Sequence, residues 1–306
     1  MDIKIYDRIV GCAVGAAVGD ALGMPLEFGP PRSVDVLVRE MRPGRLPAGS
    51  FTDDTEMALA LAESLLSHRP LDPADLAQRF VDWVCANPPD VGIHTRTVLS
   101  RIAAGQDWRQ VMEVIRAEKP DSAGNGSVMR CWPVAVACWD DLEQLVLDSQ
   151  LQSQVTHPHV DCVAGSAFVN VTCYHLFYGD SHSQAVQKAL ATAELRKPLR
   201  SAIESASVCQ RTDLPNTGWV RHTLQSAVWG LLTTDSFEDA VVQVVNLGGD
   251  ADTAGAVVGA MAGAAYGLSQ IPKRWLSVLC GEFPLGSGIE WNVDRLVDVA
   301  ERLAKH

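Results

Sequence analysis

Two stretches of the chain are apolar almost without interruption, and both carry glycine at a fixed interval. In residues 9–26 the glycines are Gly11, Gly15, Gly19 and Gly23; in residues 254–268 they are Gly255, Gly259, Gly263 and Gly267. Positions i and i+4 share one face of a helix, so each stretch predicts a helix with a stripe of bare backbone that another helix can approach unusually closely. Glycine in a helix interior costs up to about 1 kcal/mol relative to alanine, so four in register imply a packing reason. Both are expected to be central helices, with each other as candidate partners. Neither reads as a membrane span: Asp20 interrupts the first, and the second is about one-half to three-quarters of a spanning length.

The remaining apolar positions mostly follow helical spacing. Helices are predicted over residues 58–67, 73–86 (Leu76, Phe80, Trp83 and Val84 inward), 94–103, 128–139, 162–178, 198–207, 218–232, 236–245 and 293–304, with another opening at Pro272. A shorter helical pattern covers residues 34–41, followed by a long polar loop to Ser50. No segment sustains period-two alternation, so strands should be few. No linker or repeat divides the chain, and residues 1–306 read as one domain.

Composition narrows the function. A chain of 306 residues that is 47% hydrophobic can bury a sizeable core. Its net charge of −12 argues against nucleic-acid partners and against anionic membranes, both of which call for a basic surface. The 8 cysteines include no C-x-x-C pair and read as reduced core residues. The N-terminus lacks the basic-then-apolar order of a secretory signal, so a cytoplasmic location is expected.

The chemistry concentrates at helix starts. Gly248-Gly249-Asp250-Ala251-Asp252-Thr253 places two carboxylates and a hydroxyl after a pair of glycines and before a helix. One Asp there is an ordinary N-cap. A second Asp and a Thr are hard oxygen ligands of the kind that Mg²⁺, Mn²⁺ and Ca²⁺ prefer. Thr52-Asp53-Asp54-Thr55-Glu56 repeats that chemistry at another predicted helix start, where a capping box through Thr55 or Glu56 is the competing reading. Adjacent carboxylates repel unless a cation or solvent screens them. Two such clusters are what a binuclear divalent-metal site built on helix N-termini requires.

Weaker signals accompany these. Glu27 follows the first glycine-striped helix, and Asp90 lies in a Pro-Pro-Asp-Val-Gly turn; each also reads as a solvated loop acid. Gly124-Asn125-Gly126-Ser127 before an apolar run is either a common turn or a phosphate cradle at a helix N-terminus. The His157-Pro158-His159-Val160-Asp161 segment reads as a helix-entry turn more readily than as a zinc site, since no further soft ligands accompany it. Trp219 is either core or a platform for a base.

Taken in order, Gly19-Asp20-Ala21-Leu22-Gly23 with Glu27, Phe51-Thr52-Asp53-Asp54-Thr55, Gly124-Asn125-Gly126-Ser127-Val128-Met129-Arg130 and Gly249-Asp250-Ala251-Asp252-Thr253 resemble the ADP-ribosylglycohydrolase family. The stretch from Thr217 resembles its branch that removes ADP-ribose from an arginine of dinitrogenase reductase. The resemblance runs from about residue 8 to about residue 268. It implies an all-α fold, a compact orthogonal multi-helix bundle with a binuclear metal cleft, and hydrolysis of the bond between ribose and a protein side chain. It further implies two divalent cations, Mg²⁺ or Mn²⁺, on Thr52, Asp53, Asp54, Asp250, Asp252 and Thr253. Glu27, Asp90 and Asp252 take catalytic positions. Gly124, Asn125, Gly126, Ser127 and His157 match positions that contact the ligand, and Trp219 stands where adenine stacking is possible. The implied partner is an ADP-ribosylated protein, with the arginine N-glycosidic bond as the expected target. A serine-linked or free ADP-ribose derivative, and a non-catalytic ADP-ribose binder, are the alternatives.

Overall fold

The computed structural model describes residues 1–305. Its helices are α1 (Ile3–Gly23), α2 (Asp53–Ser67), α3 (Pro73–Cys85), α4 (Ile93–Ala103), α5 (Trp108–Glu118), α6 (Trp132–Ala137), α7 (Leu142–Gln154), α8 (Val160–Phe177), α9 (His182–Thr192), α10 (Lys197–Ser205), α11 (Val220–Thr233), α12 (Phe237–Val245), α13 (Ala251–Tyr266), α14 (Lys273–Leu276) and α15 (Val293–Lys305). Strand is confined to one antiparallel pair among the described residues, β1 (Gly281–Glu282) with β2 (Glu290–Trp291). The fold is all-α, as the periodicity and the resemblance both lead one to expect.

The two glycine stripes face each other. Gly11 packs on Gly263, Gly15 on Gly259, Gly19 on Gly255 and Gly23 on Ala251, so α1 and α13 run antiparallel with backbone against backbone. A Cβ on Gly11 would lie 2.6 Å from the Gly263 carbonyl oxygen, and the other three positions of α1 are closed to one in the same way. Around this pair, α13 touches α8, α11 and α12, while α1 touches α6 and α15. The Ile3–Leu26 segment is long and apolar enough to cross a membrane, but its most apolar window is 94% buried inside the fold. The buried apolar side chains form one large cluster, with a small satellite of Val98, Val111, Met112 and Ile115 between α4 and α5.

Two expected helices are cut short. Residues 34–41 make only a single 3₁₀ turn at Val34–Val36. Asn246 explains this, because its side chain accepts from the Val38 backbone N–H at 2.8 Å and donates to the Val38 carbonyl at 2.9 Å, which takes both groups a helix would need. The apolar run 128–139 is helical only at Trp132–Ala137. Val128 and Met129 both donate instead to the Asn125 carbonyl, which closes a turn ahead of the helix. Three helices, α5, α7 and α9, carry no counterpart in the sequence reading.

Candidate active site

Thr52 occupies the N-cap position of α2, yet its side chain makes no capping bond. The cap comes from outside. Asp20, fully buried in the last turn of α1, accepts from the Thr52 N–H at 2.9 Å, the Thr55 N–H at 3.2 Å and the Thr55 hydroxyl at 2.6 Å. The Thr52 hydroxyl lies 2.9 Å from Asp20 and 3.2 Å from Asp54. Glu56 closes no capping box, since its carboxylate accepts from the Trp83 indole at 2.7 Å. Asp53 and Asp54 are therefore left without a capping role.

The start of α13 shows the same separation. Gly248 and Gly249 have φ of +68° and +60°, a conformation that glycine alone adopts without strain. The turn they make is pinned from both sides: Phe28 donates to the Gly249 carbonyl at 2.6 Å, and the Asn216 side chain donates to the Gly248 carbonyl at 2.6 Å. Asp250 follows at the N-cap position without capping, and accepts from the Asn125 side chain at 2.8 Å. One oxygen of Asp252 accepts from the Thr253 N–H at 2.9 Å.

These helix starts converge on a cleft of about 420 Å³ whose lining combines the oxygen donors Glu27, Asp53, Asp54, Asp90, Asp250, Asp252 and Thr253 with His94, Gly124, Asn125, Gly126 and His157. Burial pushes the carboxyls of Asp53, Asp54 and Asp252 well above the usual range, and each is pushed further by a neighbouring acid: Asp90 for Asp53, Asp20 for Asp54 and Glu27 for Asp252. Burial also raises Glu27 to about 7, with Arg45 acting in the opposite direction. Asp20 rises to about 6 by burial, restrained by its hydrogen bonds from Thr52 and Thr55.

A cation of the chain itself enters this cluster. The Arg45 guanidinium pairs with Glu27 and Asp90 and lies 3.2 Å from Asp252. Ligand atoms of those three acids lie within 4.8 Å of one another. One Asp54 oxygen is buried with no hydrogen-bond partner among the described residues. Unmade caps, an orphaned carboxylate oxygen and an all-oxygen donor set fit hard divalent cations.

The residues singled out from sequence divide by position. Gly124, Asn125, Gly126 and His157 line the cleft, whereas Ser127 lies behind it, fully buried with its hydroxyl accepting from Ser153 at 2.9 Å. The 124–127 loop does not open a helix, so the expected cradle at a helix N-terminus is replaced by a turn bridged to Trp219. Trp219 stands next to the cleft residue Gly218 with the Arg221 guanidinium 3.7 Å from its ring centre. His159 caps α8, accepting from the Asp161 N–H at 3.1 Å, and Arg196 clasps Asp161, so this segment forms a helix-entry turn. Asp20, Arg45, His94 and Asn216 were assigned no role from sequence. Only Asp20 left a trace, as a lone carboxylate inside an apolar run.

Comparison with known proteins identifies the family. The sequence profile described as ADP-ribosylglycohydrolase matches residues 1–306. The chain is 34% identical to an ADP-ribosylarginine hydrolase of Serratia proteamaculans over 89% of its own length and 75% of that protein's. It is 33% identical to the ADP-ribosyl-[dinitrogen reductase] glycohydrolase of Rhodospirillum rubrum over 98% of both chains. A solved structure titled ADP-ribosylglycohydrolase-related protein complex superposes with a TM-score of 0.80 at 32% identity, covering 99% of this chain and 98% of that one. The glycine-locked helix pair, the uncapped acidic helix starts and this likeness over the whole length lead to one conclusion: the chain belongs to the ADP-ribosylglycohydrolase family of glycosidic-bond hydrolases.

Proposed function

We propose that this protein hydrolyses the N-glycosidic bond between ADP-ribose and an arginine side chain of a modified protein, with two divalent cations, Mg²⁺ or Mn²⁺, in the cleft. The observation that carries the reading is Arg45. A guanidinium is the leaving group of the arginine linkage, and here a guanidinium docks on Glu27, Asp90 and Asp252 in the cleft. Two relatives named for arginine or dinitrogen-reductase substrates point the same way.

Thr52, Asp53 and Asp54 from α2 and Asp250, Asp252 and Thr253 from α13 would hold the cations. When bound, such cations orient ribose hydroxyls and water and stabilise developing charge. The remaining work falls to side chains. Glu27, with a carboxyl near 7, is suited to take a proton from the attacking water as a new C–O bond forms at the anomeric carbon. The C–N bond breaks as that C–O bond forms, its electron pair leaving with the guanidine nitrogen, which takes up the proton that Glu27 accepted while Asp90 accepts hydrogen bonds from the departing group. The 124–126 turn and His157 face the diphosphate and adjoining ribose.

The test is a panel of arginine-linked, serine-linked and free ADP-ribose substrates, assayed with Mg²⁺, Mn²⁺ or EDTA. Release from the arginine linkage that EDTA abolishes is expected. Release confined to serine-linked or free derivatives would overturn the linkage, and full turnover in EDTA would overturn the cations.

A further inference from the structure

Arg130 is an unusual residue for a protein interior. It is fully buried, forms no ion pair with a carboxylate among the described residues although the Asp53 charge acts on it from farther off, and lies with its guanidinium 4.3 Å from the Phe80 ring centre. Its nitrogens donate to the Gln152 side chain and carbonyl, each at 3.2 Å, and to the Thr156 hydroxyl at 2.7 Å. Burying an unpaired cation is costly, so a structural filler would be better served by an apolar side chain.

The hydrogen-bond chain beyond Arg130 has a fixed direction. A guanidinium only donates, so the Thr156 oxygen must accept from it. Thr156 is itself fully buried, and among the described residues the only other group hydrogen-bonded to its hydroxyl is His157 Nδ1, at 2.8 Å. If that nitrogen carried a proton, the hydroxyl proton would be left buried without an acceptor, which costs the desolvation of a donor. The Thr156 hydroxyl therefore donates to Nδ1, and the ring proton sits on Nε2. A second imidazole follows the same logic. His94 Nε2 lies 2.9 Å from the Thr156 carbonyl, which only accepts, and His94 Nδ1 lies 3.1 Å from the Ser122 hydroxyl. The two rings pack with centres 4.5 Å apart.

His157 Nε2 has no protein partner among the described residues, although the side chain is only 2% exposed. It lies under the 124–126 turn at the cleft wall. A Cβ on Gly126 would fall 2.9 Å from it and one on Gly124 3.5 Å, so glycine at both positions keeps this N–H uncovered.

We propose that Arg130 is a positioning residue that acts through Thr156 to hold His157 as the Nε2–H tautomer, aiming one N–H donor into the cleft at an acceptor oxygen of bound ADP-ribose. The ligand half of this rests on the proposed function; the tautomer half belongs to the free protein. Arg130 thus touches no ligand, and its charge is used to orient a neutral ring.

Histidine ¹⁵N labelling with long-range proton correlation reads the tautomer in the free protein, the His157 signals being assigned by their loss in His157→Gln. The Nε2–H pattern is expected in the wild type. Arg130→Met empties a buried site and risks misfolding, so the deciding variants are Thr156→Val and Thr156→Ser. Thr156→Val should shift His157 toward Nδ1–H and weaken ADP-ribose binding about tenfold by calorimetry, raising KM more than it lowers kcat, while Thr156→Ser restores both. A wild-type Nδ1–H or imidazolium signal, or a Thr156→Val spectrum identical to wild type, overturns the relay. A shifted tautomer with unchanged ADP-ribose affinity overturns the ligand contact. Failure of the wild type to bind ADP-ribose overturns the proposed function together with the ligand contact, whereas normal binding alongside the wrong tautomer overturns the relay alone.

Discussion

The seam between α1 and α13 and the cleft at its end are built on opposite terms. Along the seam side chains are missing, so backbone meets backbone and nothing is left over. In the cleft the side chains are present but not satisfied by one another: Asp54 keeps a bare oxygen, and Asp53, Asp54 and Asp252 are held above their ordinary ionisation range. The seam spends its stability on rigidity, and the cleft spends that rigidity on keeping like charges together. The lesson is that a site of mutually repelling carboxylates needs a neighbour that cannot yield.

The most severe break in the comparison is on the cleft side. Asp252→Ala should lose far more than the roughly 100-fold that removal of an outer-sphere partner costs a metal site, and should weaken Mg²⁺ or Mn²⁺ binding, with the helical circular dichroism unchanged. Unaltered turnover would end the two-cation reading. On the seam side, Gly255→Ala puts a Cβ against the Gly19 carbonyl, and denaturant titration should show a loss of about 3 kcal/mol despite the better helix propensity of alanine. A neutral outcome would mean that the seam has slack.

Smaller effects sharpen the contrast. Arg45→Ala removes the guanidinium that competes for Glu27, Asp90 and Asp252, so titration with Mn²⁺ should give a Kd about tenfold tighter; a weaker Kd would instead make Arg45 part of the loaded site. Last comes pH. Glu27 and Glu56 both rise from 4.5 to about 7, and Asp20 from 3.8 to about 6, chiefly by burial. Carboxyls with raised folded-state values hold protons that the unfolded chain has already released, so their contribution is complete below about pH 4 and is lost as pH rises toward 7. The Tm of EDTA-treated protein should accordingly fall by a few degrees across that window, and added Mg²⁺ should recover most at the upper end. A flat profile in EDTA would show the acids to be screened by solvent.

What could be read from sequence followed from whether a signal was local. The glycine stripes repeat within one helix each, so both helices and their partnership were legible. The acidic clusters were legible as chemistry, but the failure of Thr52 and Asp250 to cap depends on Asp20 and Asn125, which lie far off in the chain. The α7 helix escaped because the face it buries is largely polar, with Asp148, Ser149, Gln152 and Ser153 beside Leu145, and hydrophobic periodicity has nothing to register there. The α9 helix buries a narrow stripe of Ala185, Val186, Ala189 and Leu190, and α5 only Val111, Met112 and Ile115. Arg45 sits in a loop whose sequence gives no hint of the carboxylates it meets.

The C-terminal turn of α1 holds both halves of the cleft at once. Asp20 fixes the start of α2 through Thr52 and Thr55, and Gly23 rests on Ala251 and Asp252 at the start of α13. The spacing between the two acid sets is therefore inherited from a single helix, much as the gap of a caliper is set by its beam. For anyone diversifying this enzyme, the beam is the part to leave alone.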